Sequence, residues 1–181
     1  MQEIIHPRSC GLDAGCGAGA RDVFFYWQSD YDIYGIDALR ENILLSKDVH
    51  PEIASRLSVA NLSNPLNYID GKFDFVICNA VIQHIKPKTV RDVTLPEFSR
   101  ILKSGGILQL MFKVGNGIKT VYDKDYGVTR KFQLYDETEI VNSLSKLGLQ
   151  LIEEVDGKIG GVMYFADSKP VYHCLVFMRK Q

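Results

Sequence analysis

Leu12-Asp13-Ala14-Gly15-Cys16-Gly17-Ala18-Gly19 is the stretch on which the fold turns. It follows an apolar run of strand length at 9–13 and precedes a helical pattern at 20–28, so it reads as a strand-to-helix turn. Glycines at 15, 17 and 19 let the backbone turn sharply and approach a ligand where a Cβ would collide. The dinucleotide fingerprint G-x-G-x-x-G would put its third glycine at 20, where Ala20 stands. Some dinucleotide folds accept Ala there, so this alone does not exclude them. Asp13 weighs more. A carboxylate beside a pyrophosphate repels it, whereas one near an ammonium or sulfonium attracts it.

Working outward, apolar runs at 32–36, 57–60, 73–79 and 107–113 read as further strands. Helical patterns lie between them at 39–47 and around 95–103, where Pro96 suits a first turn and Ser104-Gly105-Gly106 ends the helix. Asp136 followed by Glu139 predicts a capped helix start, with Ile140, Val141, Leu144 and Leu147 on one face and Gly148 as its stop. Beyond it, runs at 149–155 and 171–178 have no convincing helix between them and predict an antiparallel hairpin. Residues 114–130 read as the most irregular stretch. The expected fold class is α/β, a mostly parallel sheet between helix layers with an antiparallel C-terminal hairpin, binding ligands beyond the carboxyl ends of its strands.

At 181 residues and 46% hydrophobic composition, the chain matches a single domain over 1–181. Lys+Arg 21 against Asp+Glu 22 provides no global field to draw it onto nucleic acid or an anionic membrane. Cys10, Cys16, Cys78 and Cys174 form no C-x-x-C pair and have no histidine at zinc spacing, so no metal site is expected. The N-terminal residues lack a secretory pattern and no run reaches membrane-span length; a cytoplasmic protein is the expectation.

Leu12 to Gly19 resembles motif I of class I S-adenosylmethionine-dependent methyltransferases, and further pieces follow in order. Asp37 ends the second strand about 20 residues beyond the glycine loop, the usual separation for an acid that holds ribose hydroxyls. Phe73 through His84 resembles the family's fourth-strand segment, and Arg100 to Gly106 its helix-to-fifth-strand turn. Asn61-Leu62 stands where the family often has an acidic and a small residue against the adenine, so that contact falls to the Asn61 amide or the Leu62 backbone. The resemblance implies a Rossmann-like three-layer sandwich with a seven-stranded sheet of order 3-2-1-4-5-7-6. It implies S-adenosyl-L-methionine as cofactor, with S-adenosyl-L-homocysteine as product, bound by Asp13, Ala14, Gly15, Cys16, Gly17, Gly19, Asp37, Ala38, Asn61, Leu62 and Asn79.

Each residue also has a plainer reading. Asp37 could be a helix cap. Asp74, at a strand start, reads as a structural acceptor. Cys16 has no visible base, so backbone contact suits it better than nucleophilic chemistry. His84 lies just beyond the fourth strand, where it either takes a proton from the acceptor or packs locally. Gln83, His84, Arg130 and Tyr135 are the candidate acceptor-binding residues, with His84 as the candidate catalytic base.

The expected reaction is methyl transfer to a small molecule, with a protein acceptor as runner-up and nucleic acid or membrane partners disfavoured. The competing classes are an NAD-linked oxidoreductase and an inactive cofactor-binding partner subunit. Motif I begins about ten residues from Met1, whereas many family members carry earlier helices over the acceptor pocket. The pocket is therefore expected to be open or closed by another chain or oligomer.

Overall fold

The computed structural model describes residues 1, 3–123, 127–153, 160–165 and 173–181. The first half runs β1 (Cys10–Ala14), α1 (Arg21–Gln28), β2 (Asp32–Asp37), α2 (Arg40–Val49), β3 (Leu57–Val59) and β4 (Phe73–Asn79). The second half runs α3 (Pro87–Thr89), α4 (Leu95–Ile101), β5 (Leu102–Lys113), β6 (Ile118–Asp123), β7 (Val128–Gln133), α5 (Glu137–Lys146), β8 (Leu149–Leu151), β9 (Val162–Phe165) and β10 (His173–Lys180). Among the described residues the main sheet has the order β3-β2-β1-β4-β5-β10-β8, with β9 also paired to β10. This is the expected order, β10 taking the seventh strand's place and β8 the sixth's. β1 to β5 pair in parallel, and β10 is antiparallel to β5, β8 and β9. β8, from the first arm of the expected hairpin, lies antiparallel opposite 178–180, and β9, opposite 173–176, is an additional strand in the stretch expected only to connect the two arms. Residues 154–155 and 171–172 of the expected arms lie outside the described residues.

The sheet is buried on both faces, which is why its strands read as near-continuous apolar runs. Along β4, Val76 and Cys78 join one cluster with Phe98 and Ile101 of α4 and Ile140 and Leu144 of α5. The alternating residues Phe75 and Ile77 join the other, with Val23 and Tyr26 of α1 and Ile43 of α2. α5 starts as its sequence predicts: Asp136 Oδ1 accepts from the Glu139 N–H at 2.9 Å, and Gly148 beyond its end takes φ 82°. Asp74 is a structural acceptor, holding the Cys10 N–H and the Lys103 ammonium, each at 2.8 Å.

Pro96 stands in the first turn of α4, as expected, and a short helix and a π-helical turn at Val90–Thr94 run directly into that helix. Two local expectations need correction. The helix then ends at Ile101, so Ser104-Gly105-Gly106 lies in β5, at the register shift between its pairings with Phe73 and Phe75. Finally, the stretch read as irregular holds the two-stranded sheet β6-β7, registered from Ile118↔Gln133 to Asp123↔Val128. Only Phe132 among the large apolar residues of this sheet is buried, so no alternating hydrophobic signal marks it in the sequence.

Gly11, in the middle of β1, carries the Phe75 ring directly over its Cα, where a Cβ would overlap the ring. Phe75 in turn packs against Tyr26 and Tyr31, with centroids at 5.6 and 5.9 Å. Gly11→Ala is expected to destabilise the fold by about 1–3 kcal/mol, the usual cost of overpacking a core. Denaturant unfolding checks this: the loss should be partly relieved in Gly11→Ala/Phe75→Leu, and strict additivity of the two single losses would contradict the contact.

Candidate active site

The turn after β1 is held in shape by its neighbours. Gly15, Gly17 and Gly19 take φ values of 102°, 64° and 91°, a region costly for any residue with a Cβ. Gly15 is doubly constrained because a Cβ there would overlap Val81, which follows Ala80 in the left-handed region at φ 58°. Over Gly17 and Gly19 nothing stands within 4 Å of a Cβ position, leaving an open cradle. The Gly15 and Cys16 N–H groups donate to Ile36 O at 2.8 and 2.9 Å, tying the turn to β2.

Asp37, at the end of β2, accepts from Gly17 N–H at 3.0 Å, Leu39 N–H at 2.9 Å and Asn42 Nδ2 at 3.1 Å. It therefore shapes the start of α2 and fastens the glycine loop at once. Ser46, one helical turn beyond Asn42, is buried; its Oγ accepts from Gly19 N–H at 2.8 Å and lies 3.1 Å from Gly17 O. The sequence reading missed this pair, whose signal is two small polar residues at i, i+4 on the α2 face nearest β1.

A cavity of about 620 Å³ opens beyond the carboxyl ends of the strands, where ligands bind in sheets of this kind. Its wall includes Gly15, Gly17, Asp37, Ala38, Asn61, Leu62 and Asn79 of the expected cofactor residues, and His84 and Arg130 of the expected acceptor residues. Leu39, Asn42, Ala60, Ser63, Ala80, Val81 and Ile85 complete it and were not foreseen. Asp13, Ala14, Cys16 and Gly19 do not line the cavity, and neither do Gln83 and Tyr135. Gln83 is buried with its Oε1 unpartnered. Tyr135 is buried too; its hydroxyl lies 2.7 Å from Ile85 O and 3.2 Å from Ile82 O, fixing the turn that carries His84.

Asn61 Oδ1 accepts from Ser63 N–H at 2.8 Å, and Leu62 O accepts from the Thr94 hydroxyl at 2.8 Å. What they still offer a ligand is the Asn61 NH₂ and the Leu62 N–H. Asn79 bridges inward, its Oδ1 accepting from Gln109 Nε2 at 3.0 Å and its Nδ2 donating to Asp22 Oδ2 at 3.4 Å.

The two ends of the site differ in charge. Burial, then the carboxylates of Asp22 and Asp37, push the Asp13 carboxyl up to about 8. Burial, with Asp13 and Asp37 adding to it, pushes the Cys16 thiol up to about 12, leaving it no nucleophile. At the other end His84 lies against Phe132, with centroids 5.4 Å apart, and is held below its ordinary pKa by burial, Arg130 and Lys113. The Asp22 and Asp37 carboxylates beside the glycine loop suit a cationic ligand and oppose the pyrophosphate of a dinucleotide.

The comparisons with known proteins agree with this geometry. A family model described as a methyltransferase domain matches residues 12–110. The chain belongs to this methyltransferase family. Its cofactor is S-adenosylmethionine, and the open cradle at Gly17, the cavity-lining carboxylate of Asp37 and the acidic surroundings of the loop fit that group. Among solved structures, this methyltransferase is similar to an S-adenosylmethionine-dependent methyltransferase from Methanosarcina mazei, with 20% identity over 98% of this chain and 95% of that one, TM-score 0.80. It is also similar to a TehB-like methyltransferase from Corynebacterium glutamicum, at 21% identity over 99% and 84% of the two chains, TM-score 0.70. A third similar structure is 1,6-didemethyltoxoflavin-N1-methyltransferase from Burkholderia thailandensis, bound to 1,6-didemethyltoxoflavin and S-adenosylhomocysteine, at 14% identity over 97% and 72%, TM-score 0.70. Comparison with curated protein sequences returns no match. Among the described residues no helix is long and apolar enough to cross a membrane, and no cluster of His, Cys, Asp and Glu could hold a metal ion.

Asp13 makes the stability of this methyltransferase depend on pH. The folded carboxyl keeps its proton to about 8, whereas an unfolded one loses it near the ordinary 3.8. Between these values the folded state binds more protons, so the Asp13 contribution falls as pH rises. Asp13→Asn should therefore gain melting temperature relative to wild type between about pH 5 and about pH 8. A difference that stays flat, or runs the other way, would contradict the buried, proton-retaining carboxyl.

Proposed function

We propose that this methyltransferase acts on a small-molecule acceptor, which meets the cofactor between the glycine loop and His84. The observation that carries the reading is the cavity of about 620 Å³, running from Asp37 and Asn61 to His84 and Arg130. Its size lies within the range of roughly 300–1,000 Å³ that small ligands occupy. The small-molecule acceptor of the Burkholderia enzyme supports it, as does the likeness to a putative sarcosine dimethylglycine methyltransferase from Galdieria sulphuraria, 12% identical with TM-score 0.71.

In this reading Gly15, Gly17, Asn79 and the backbone beside them hold the methionine portion. Asp37 accepts from the ribose hydroxyls; a carboxylate has about four acceptor positions, so one remains beside its three present donors. Asn61 and Leu62 meet the adenine, and the Asp22 and Asp37 carboxylates, beside which Asp13 keeps its proton, supply negative charge around the loop. The bound cofactor supplies a methyl group activated by its positive sulfur. His84 receives the acceptor's proton where the nucleophile carries one, and the cavity walls align the reactants and exclude water. Alignment of this kind can contribute about 7–11 kcal/mol to lowering the barrier.

The test is a screen of acids, phenols and amines for S-adenosylhomocysteine release, followed by His84→Gln. Turnover should fall by about 100-fold or more, with S-adenosylhomocysteine affinity unchanged, as expected for loss of a general base. Burial and the Arg130 and Lys113 cations disfavour the imidazolium, so the neutral form persists to lower pH. The rising limb of turnover should therefore have its midpoint below 6.5 and vanish in the variant. Wild-type turnover by His84→Gln would remove the base and leave alignment alone. Absence of turnover with every small molecule, alongside turnover of a protein, would overturn the small-acceptor reading.

A further inference from the structure

The geometry points to an acceptor that carries a carboxylate, anchored by Arg130 in the half of the cavity beyond β4; this rests on the methyl-transfer reading above. The argument begins with the register of the β6-β7 sheet. Arg130 and Phe132 are two residues apart on β7, so both project from the same face. Phe132 is buried, and three side chains gather on its ring: Lys113 Nζ at 4.9 Å and Arg130 Cζ at 5.2 Å from its centroid, and the His84 ring at 5.4 Å. One aromatic platform thus sets the position of two cations and of the imidazole. Of the three, Arg130 and His84 line the cavity, while Lys113 is buried behind the ring.

The charges along the cavity wall are separated. Among its described lining residues Asp37 is the only carboxylate, and it belongs to the β2 end, with the glycine loop. Arg130 and His84 stand at the β4 end, where the two cations already hold His84 below its ordinary pKa. An acceptor carrying an ammonium would be repelled there; one carrying an anion would be attracted. Among anions the guanidinium favours a planar carboxylate, which meets its fork with two parallel hydrogen bonds. Stacking on Phe132 orients that fork in advance. A guanidinium has five N–H donors, so Arg130 can keep other partners while meeting a ligand. The carboxylate would then place the rest of the acceptor beside His84.

The test uses the protein loaded with S-adenosylhomocysteine and two probe pairs, benzoate with benzamide and salicylate with salicylamide, titrated by calorimetry or ligand-observed NMR. Each carboxylate should bind at least about tenfold more tightly than its neutral amide, the effect of hydrogen bonds to a charged group. The preference should disappear in Arg130→Gln and be partly kept in Arg130→Lys, which retains the charge but loses the fork. S-adenosylhomocysteine binding by each variant reports an intact cofactor site. Equal binding of acid and amide by wild type, a preference that survives Arg130→Gln, or no binding of any probe by the loaded protein would overturn the inference. Failure of the wild type to bind S-adenosylhomocysteine would instead remove the functional reading, and this inference with it.

Discussion

The carboxylate of Asp37 joins parts of the molecule that the chain alone would leave independent. It accepts from the glycine loop through Gly17, from the start of α2 through Leu39, and from the α2 side chain of Asn42. Ser46 adds a second tie one turn along the helix, through Gly17 and Gly19. The loop is thereby held in a left-handed backbone shape that its glycines permit but do not by themselves select. A loop ordered before binding spares a ligand the entropic cost of ordering it. Holding the residues at the start of α2 and lining the cavity are therefore not rival roles for Asp37. The first makes the loop available for the second.

The features legible in the sequence were those with a strong local signal. β1 and β4 were readable because strands buried on both faces must be apolar throughout, and the alternating glycines marked the turn that β1 enters. α5 was readable because Asp136 and Gly148 mark its ends. The β6-β7 sheet was not, since Phe132 is the one large apolar residue buried among its described residues.

Within the site, position along the chain predicted proximity better than direction. Gln83 and His84 are adjacent on a single 3-10 turn, yet His84 lines the cavity while Gln83 is buried away from it. Tyr135 follows β7 as expected, but its hydroxyl meets the carbonyl of Ile85 and its side chain does not itself line the cavity. Direction in such short turns depends on which backbone groups need partners, and that is settled by tertiary contacts. Asn42 and Ser46 illustrate the converse: ordinary surface residues by composition, they became parts of the site because α2 packs beside the β1 turn.

The acceptor half of the cavity depends on a small sheet that would be marginal by itself, since two strands rarely hold without a layer to pack on. Its attachments are specific. Val114 bridges to Tyr135, Leu134 N–H donates to Gly117 O at 2.8 Å, Phe132 is buried against His84, and the Tyr135 hydroxyl secures the His84 turn from behind. The sheet and the turn therefore form one unit, joined through Phe132 and Tyr135. The cofactor half is built from β1, β2 and α2 and shares few of these contacts. Substitutions in β6 and β7 can thus reshape the acceptor wall while leaving the glycine loop and its carboxylates undisturbed, which is how one methyl-donor site can serve different acceptors.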